Sequence, residues 1–159
     1  MIRSFFISLF FAFLLTACGS PTADKRLSGK WLQDIPTSTT QNGMEVTTLN
    51  TVLEFEKDGD VLLRRQIEIR GVNLPREGIS LDIDLSGKWQ LEEGTLIQTL
   101  EEAWVTPRDS SQLAQNYANQ LQDQAAQTPE TRKTILVLDN KELILQDLAT
   151  GFTDTYRRK

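Results

Sequence analysis

Ile79, Leu81, Ile83 and Leu85 alternate with Ser80, Asp82 and Asp84, and no feature constrains this chain more than that period of two. Successive side chains of a strand point to opposite faces, so the four apolar residues share one face and the polar residues the other. Such a strand lies between a dry core and water, as antiparallel strands do. Thr51 to Phe55 and Val61 to Ile69 behave in the same way, with Leu53 and Phe55 answered by Leu63, Ile67 and Ile69. Between them, Lys57-Asp58-Gly59-Asp60 predicts a tight hairpin, because glycine accepts the positive φ that such turns require.

Lys88 to Gln90, Thr95 to Leu100 and Ala103 to Val105 read as further strands or parts of strands, with Glu92-Glu93-Gly94 as a turn. The period then changes. Thr106 can cap a helix, Pro107 suits its first position, and Asp109 favours its positive end, which predicts a helix from about 107 to 127. Leu113, Tyr117 and Leu121 share a stripe with Ala114, Ala118 and Ala125. That stripe is narrow and rich in alanine, and it predicts a helix on the outside of the domain that adds little core. Thr134 to Leu138, Glu142 to Gln146 and Phe152 to Arg157 return to strands. The fold class is mainly β: a single antiparallel meander of about eight strands closing into a barrel, with one helix before the last three strands. Asp82 and Asp84 on the outer face exclude a barrel wall exposed to lipid.

The sequence contains no histidine and one cysteine, Cys18, and carries a formal charge of −5. The missing side chains remove Ser-His-Asp and Cys-His catalysis and the usual zinc sites together. The acidic balance argues against nucleic acid as a partner. The length suits one domain, expected to be a monomer.

Leu27-Ser28-Gly29-Lys30-Trp31 recurs unchanged as Leu85-Ser86-Gly87-Lys88-Trp89. Both copies read as strand beginnings in which a glycine allows close approach and a tryptophan closes one end of the core. With Gly29-Lys30-Trp31 opening the meander and Tyr156-Arg157-Arg158 ending it, the chain resembles the lipocalin-like lipoproteins of bacteria. The resemblance implies that Gly29 and Trp31 sit at the closed end of the barrel, beneath an arginine of the last strand. Arg157, or Arg158 beside it, would make that cation–π contact, worth about 1 kcal/mol. An eight-stranded barrel is also about the smallest that can hold one small hydrophobic ligand.

The N-terminus fits such an identity. Arg3 precedes a run of Phe, Ile, Leu and Ala from Phe5 to Leu15, too short for the roughly 20 residues of a membrane-spanning helix and suited to a signal peptide. Leu15-Thr16-Ala17-Cys18 resembles the lipobox of bacterial lipoproteins. The resemblance implies cleavage before Cys18 and lipid on its thiol; Gly19, where aspartate would favour inner-membrane retention, points to the outer membrane facing the periplasm. The expected organisation is a signal peptide at 1–17, the lipidated Cys18 with a polar tether at 18–26, and the barrel at 27–159. Fully extended, the tether reaches about 25 Å.

Few other groupings invite chemistry. Asp82 with Asp84 shares a solvent face, and Glu101 with Glu102 forms no acid–base pair. Asp58 and Asp60 flank a turn and lack the spaced oxygens of a calcium loop. Arg64-Arg65 is a small basic spot that either meets a carboxylate or phosphate headgroup or lies on a solvated strand face. The expectation is therefore a protein that is not an enzyme and has no cofactor and no metal. Either a small apolar ligand occupies the barrel, or side chains fill it and its exterior docks on an envelope protein.

Overall fold

The computed structural model describes residues 25–41, 43–127 and 130–159. Among them run β1 (Gly29–Gln33), β2 (Thr37–Gln41), β3 (Met44–Phe55), β4 (Asp60–Gly71), β5 (Ile79–Glu92), β6 (Thr95–Pro107), α1 (Gln112–Gln127), β7 (Glu130–Leu138), β8 (Glu142–Asp147) and β9 (Thr153–Arg158). The strands form one antiparallel meander. β1 pairs with Thr51–Phe55 of β3, and β2 with the first half of the same strand. The two act as one interrupted stave, so the sheet closes as a barrel of eight strands, with the helix ahead of the last three. Pro36, which has no N–H to offer a ladder, stands in the interruption. Every strand of the barrel lies within 29–158, so a chain that starts at Gly19 carries the complete fold.

Several local expectations give way. The stretches read apart as Ile79 to Leu85 and Lys88 to Gln90 are one strand of 14 residues, with a bulge at Ser86/Gly87. The second pentapeptide thus lies within β5 and does not begin a strand. Thr95 to Leu100 and Ala103 to Val105, read as strands or parts of strands, are parts of one strand, β6. β2 and the first half of β3 were not foreseen, because Thr-Ser-Thr-Thr and Glu-Val-Thr-Thr carry almost no apolar alternation. The helix begins at Gln112, after Thr106 and Pro107 have ended β6. Its cap is Ser111, whose hydroxyl accepts the Ala114 N–H at 3.1 Å.

The core is divided in two. At the end closed by the turns after β3, β5 and β7, Trp31, Leu53, Phe55, Trp89, Leu143 and Tyr156 form one cluster. At the other end, Ile67, Ile69, Ile79, Leu81 and Val105 pack against Ala114 and Ala118 of α1. These strand residues face the barrel interior, so the helix lies across the mouth and contributes core, contrary to its expected place outside. The alanine stripe explains this: without bulky side chains, the helix backbone can approach the sheet closely. β7 pairs only with Thr95–Thr99 of β6, and α1 covers the edge beyond, where Gln122 Oε1 accepts the Val105 N–H at 3.2 Å.

Candidate functional site

Between the two apolar clusters the inner wall is polar. The inward row of β4 reads Val61, Leu63, Arg65, Ile67, Ile69, and its middle member is a cation. Arg65 stands between Thr51 and Ile83 in the ladder, and its Nε donates to Thr51 Oγ1 at 3.1 Å. Lys133 of β7 faces the same space, opposite Leu96 and Asp147. Its ammonium is 3.8 Å from Asp154 Oδ2, and its side chain is only 12% exposed. Burial pulls the Lys133 ammonium below its ordinary pKa and Arg65 adds to the effect, against the opposing pull of Asp154 and Asp147.

The two carboxylates in this layer have other commitments. Asp147 Oδ1 accepts the N–H groups of Ala149 and Thr150 and the Thr150 hydroxyl, holding the β8–β9 turn. Asp154 lies against Lys133. Among the described residues, two further polar atoms are fully buried without a hydrogen-bond partner: Gln33 Oε1 and the Tyr156 hydroxyl. Arg65 and Asp154 act electrostatically on that hydroxyl but stand outside hydrogen-bonding geometry. Burial, then Asp154, push the phenol well above its ordinary range, so it remains a neutral donor.

Space opens from this layer on two sides. A cavity of about 270 Å³ is walled by Leu63, Leu85, Leu100 and Ala125, with Arg65 and Lys133 at its polar side. A second, of about 510 Å³, includes Arg65, Lys133, Asp147 and Asp154 and reaches Thr39 and Phe152. The latter lies at a seam. β1 and β9 share only the pairs Trp31–Arg158 and Leu32–Arg157, and β2 pairs with β3 alone. Among the described residues no ladder joins β2 to β9 beyond Gln33, and the second cavity lies between them there.

The residues singled out from the sequence lie elsewhere. Trp31 is wholly buried at the closed end, where its Nε1 donates to the Leu27 carbonyl at 2.8 Å. The cation over its ring is Arg158, 4.1 Å from the centroid, and not Arg157, which pairs with Leu32 and is exposed. Strand parity decides between them, since only every second residue of β9 faces inward. Arg158 also donates to the carbonyls of Ser28, at 2.9 Å, and Arg26. Gly29 has φ +122°, and a Cβ there would meet Arg158 Nη1 at 2.8 Å. Cys18, with the signal peptide and most of the tether, lies outside the described residues.

The acidic groupings are explained by the outer surface. Asp82 and Asp84 pair with Arg108 at 3.0 Å and Arg64 at 3.7 Å. Glu101 and Glu102 are exposed. Glu56, Asp58 and Asp60 cluster at the hairpin, where Asp58 accepts the Asp60 N–H and Asp60 pairs with Lys88. The Arg64-Arg65 spot divides, with Arg64 outside and Arg65 inside. The sequence reading missed this interior cation, although the phase of Val61 to Ile69 marks it: a charge at an apolar position of an alternating strand.

No family model matches the chain, and no curated protein matches it. Among solved structures, an uncharacterized protein from Bacteroides eggerthii DSM 20697 is similar, with a TM-score of 0.43 and 15% identity over 84% of this chain and 99% of that one.

Proposed function

We propose that the chain is a lipid-anchored lipoprotein of the bacterial envelope, non-enzymatic, whose barrel takes up a small and largely apolar molecule. The observation that carries this reading is the unfilled interior: Trp31, Phe55 and Trp89 plug only the closed end, and space remains between that plug and α1. An eight-stranded barrel is about the smallest that can hold one such ligand, and the volumes suit a small molecule. The lipobox-like Leu15-Thr16-Ala17-Cys18 supports anchoring at Cys18, on the outer membrane facing the periplasm. Two or three acyl chains at about 0.8 kcal/mol per buried methylene make release negligible.

A docking role has one observation in its favour. Trp104, on the outer face of β6, is 61% exposed, and tryptophan is a common anchor of protein interfaces. One experiment separates the readings. The chain from Gly19 onward is titrated with the apolar fluorophore N-phenyl-1-naphthylamine, in the native form and as Ala125→Phe, which fills the apolar cavity. A carrier binds the probe saturably at one site, and the variant loses it while melting as the native protein does. Absence of binding to the native barrel contradicts the carrier. Anchoring is read separately: Cys18→Ser abolishes palmitate labelling and moves the full-length protein out of the membrane fraction.

A further inference from the structure

Charge is segregated at the closed end of the barrel. The whole chain carries a formal charge of −5, yet residues 25–30, 139–142 and 157–159 hold seven basic side chains against two acidic ones, Asp139 and Glu142. A carboxylate at Lys159 would offset only one of the seven. The hairpins at the same end are the reverse: residues 54–60 and 92–93 hold six acidic side chains and one basic one.

The basic stretches meet in space. The Lys159 N–H donates to the Lys30 carbonyl at 3.0 Å, and the Arg158 N–H donates to the Lys141 carbonyl at 2.8 Å. The Arg158 guanidinium, stacked over Trp31, reaches the carbonyls of Ser28 and Arg26. Lys25, Arg26, Lys30, Lys141, Arg157 and Lys159 are exposed and form a strip across the start of β1 and the end of β9. Glu54 pairs with Lys30 at 3.2 Å, and Glu142 stands opposite Arg157 in the β8–β9 ladder. Among the described residues, Lys141 and Lys159 have no carboxylate within ion-pair distance. Beside the strip the outer wall is apolar, where Val137 pairs with Ile144 and Leu136 is half exposed.

We infer that this strip docks on the anionic phospholipid surface of the membrane, with the acidic hairpins turned away from the bilayer. Two observations favour a bilayer as its occupant. The charge is complementary to anionic headgroups, near which each Lys or Arg is worth about fivefold in binding. The described chain begins at Lys25, inside the strip, so the seven residues from Cys18 to Asp24 deliver the strip to the surface that holds Cys18. A tether that short keeps its effective concentration there high. Salt screens interactions beyond about 8 Å, so the strip, and not the net charge, meets the headgroups. The inference rests on the anchoring reading and adds the orientation of the barrel on the membrane.

The test uses the chain from Cys18 onward, produced without lipid, its native thiol coupled to a maleimide lipid in vesicles of phosphatidylcholine, alone or mixed with phosphatidylglycerol. Acetylation of each lysine by a soluble reagent is followed by mass spectrometry, with Lys57 on the acidic hairpin as internal reference. Relative to Lys57, Lys141 and Lys159 should react at least about threefold more slowly on the anionic vesicles than on the neutral ones. High salt should remove that protection from the native protein, and Lys30→Glu with Arg157→Glu should remove it at low salt. Equal rates on the two kinds of vesicle, or protection of Lys57 instead, overturn the docking and leave the anchoring standing. The chemical tether does not depend on lipidation in the cell, which palmitate labelling of Cys18 reads separately; absence of that label contradicts the anchoring, and the orientation with it.

Discussion

Gly29 and Gly87 hold the same place in two copies of one pentapeptide and answer to different constraints. Gly29 has a left-handed backbone beneath the guanidinium of Arg158, the flexible end of a side chain. Gly87 has no such φ, but a Cβ there would fall on the backbone carbonyl of Thr99 across the β5–β6 bulge, and backbone cannot move aside. Gly29→Ala should cost about 1–3 kcal/mol, from strain at a sparsely populated φ, and Gly87→Ala more, because two long strands must separate. Urea unfolding of the two variants checks the order. Asp147 belongs to the same scale. Burial alone would raise its pKa, but the hydrogen bonds from Thr150 and Ala149, with Lys133, outweigh burial and hold the carboxyl below its ordinary value. A depressed folded-state pKa means that its contribution to stability is complete above the unfolded value of about 4 and is lost as pH falls through the folded one. Urea midpoints measured from about pH 5 to about pH 2 should fall for the native protein and fall less for Asp147→Ala, which starts lower.

Among the elements, α1 shows what a single sequence can and cannot reveal. Its existence, its alanine stripe and its C-terminal end were legible, because a change from period two to period 3.6 is local. Its start was not: Thr106-Pro107 imitates a helix beginning, yet both residues complete β6, whose pairing with β5 runs to Pro107 opposite Leu81. Ser111→Ala should therefore cost about 1 kcal/mol in thermal or urea unfolding. Thr106→Ala should leave helix stability unchanged. Position across the mouth was also out of reach, since it depends on β7 abandoning the edge of β6 and leaving it for the helix to cover. The interior cations fall between these cases. Arg65 could be read from its phase in Val61 to Ile69, whereas Lys133 precedes the apolar part of β7 and is turned inward by pairing with Leu96 and Asp147. The resemblance to lipocalin-like barrels anticipated the closed end, where one aromatic-rich strand start carries the signal; a site spread over β4, β7, β8 and β9 leaves no contiguous motif.

As a whole, the molecule is a cup, and the anchoring and ligand uptake proposed for it fall at opposite ends. The described chain begins beside the closed end, where Arg26 and Ser28 meet Arg158. The helix-covered mouth lies at the other end. On the proposed anchoring, a tether of about 25 Å ties the closed end to the bilayer, and the mouth and the seam face the aqueous compartment. That arrangement suits a protein that receives a molecule from solution or from another protein. The claim beneath it is that the interior is a site and not a packing remainder. Native mass spectrometry of the chain from Gly19 onward, expressed to the periplasm and recovered without detergent, tests it most directly. The account predicts a noncovalent adduct of a few hundred daltons, retained under native conditions, lost on denaturation and absent from Ala125→Phe; a bare polypeptide mass for the native protein would contradict it.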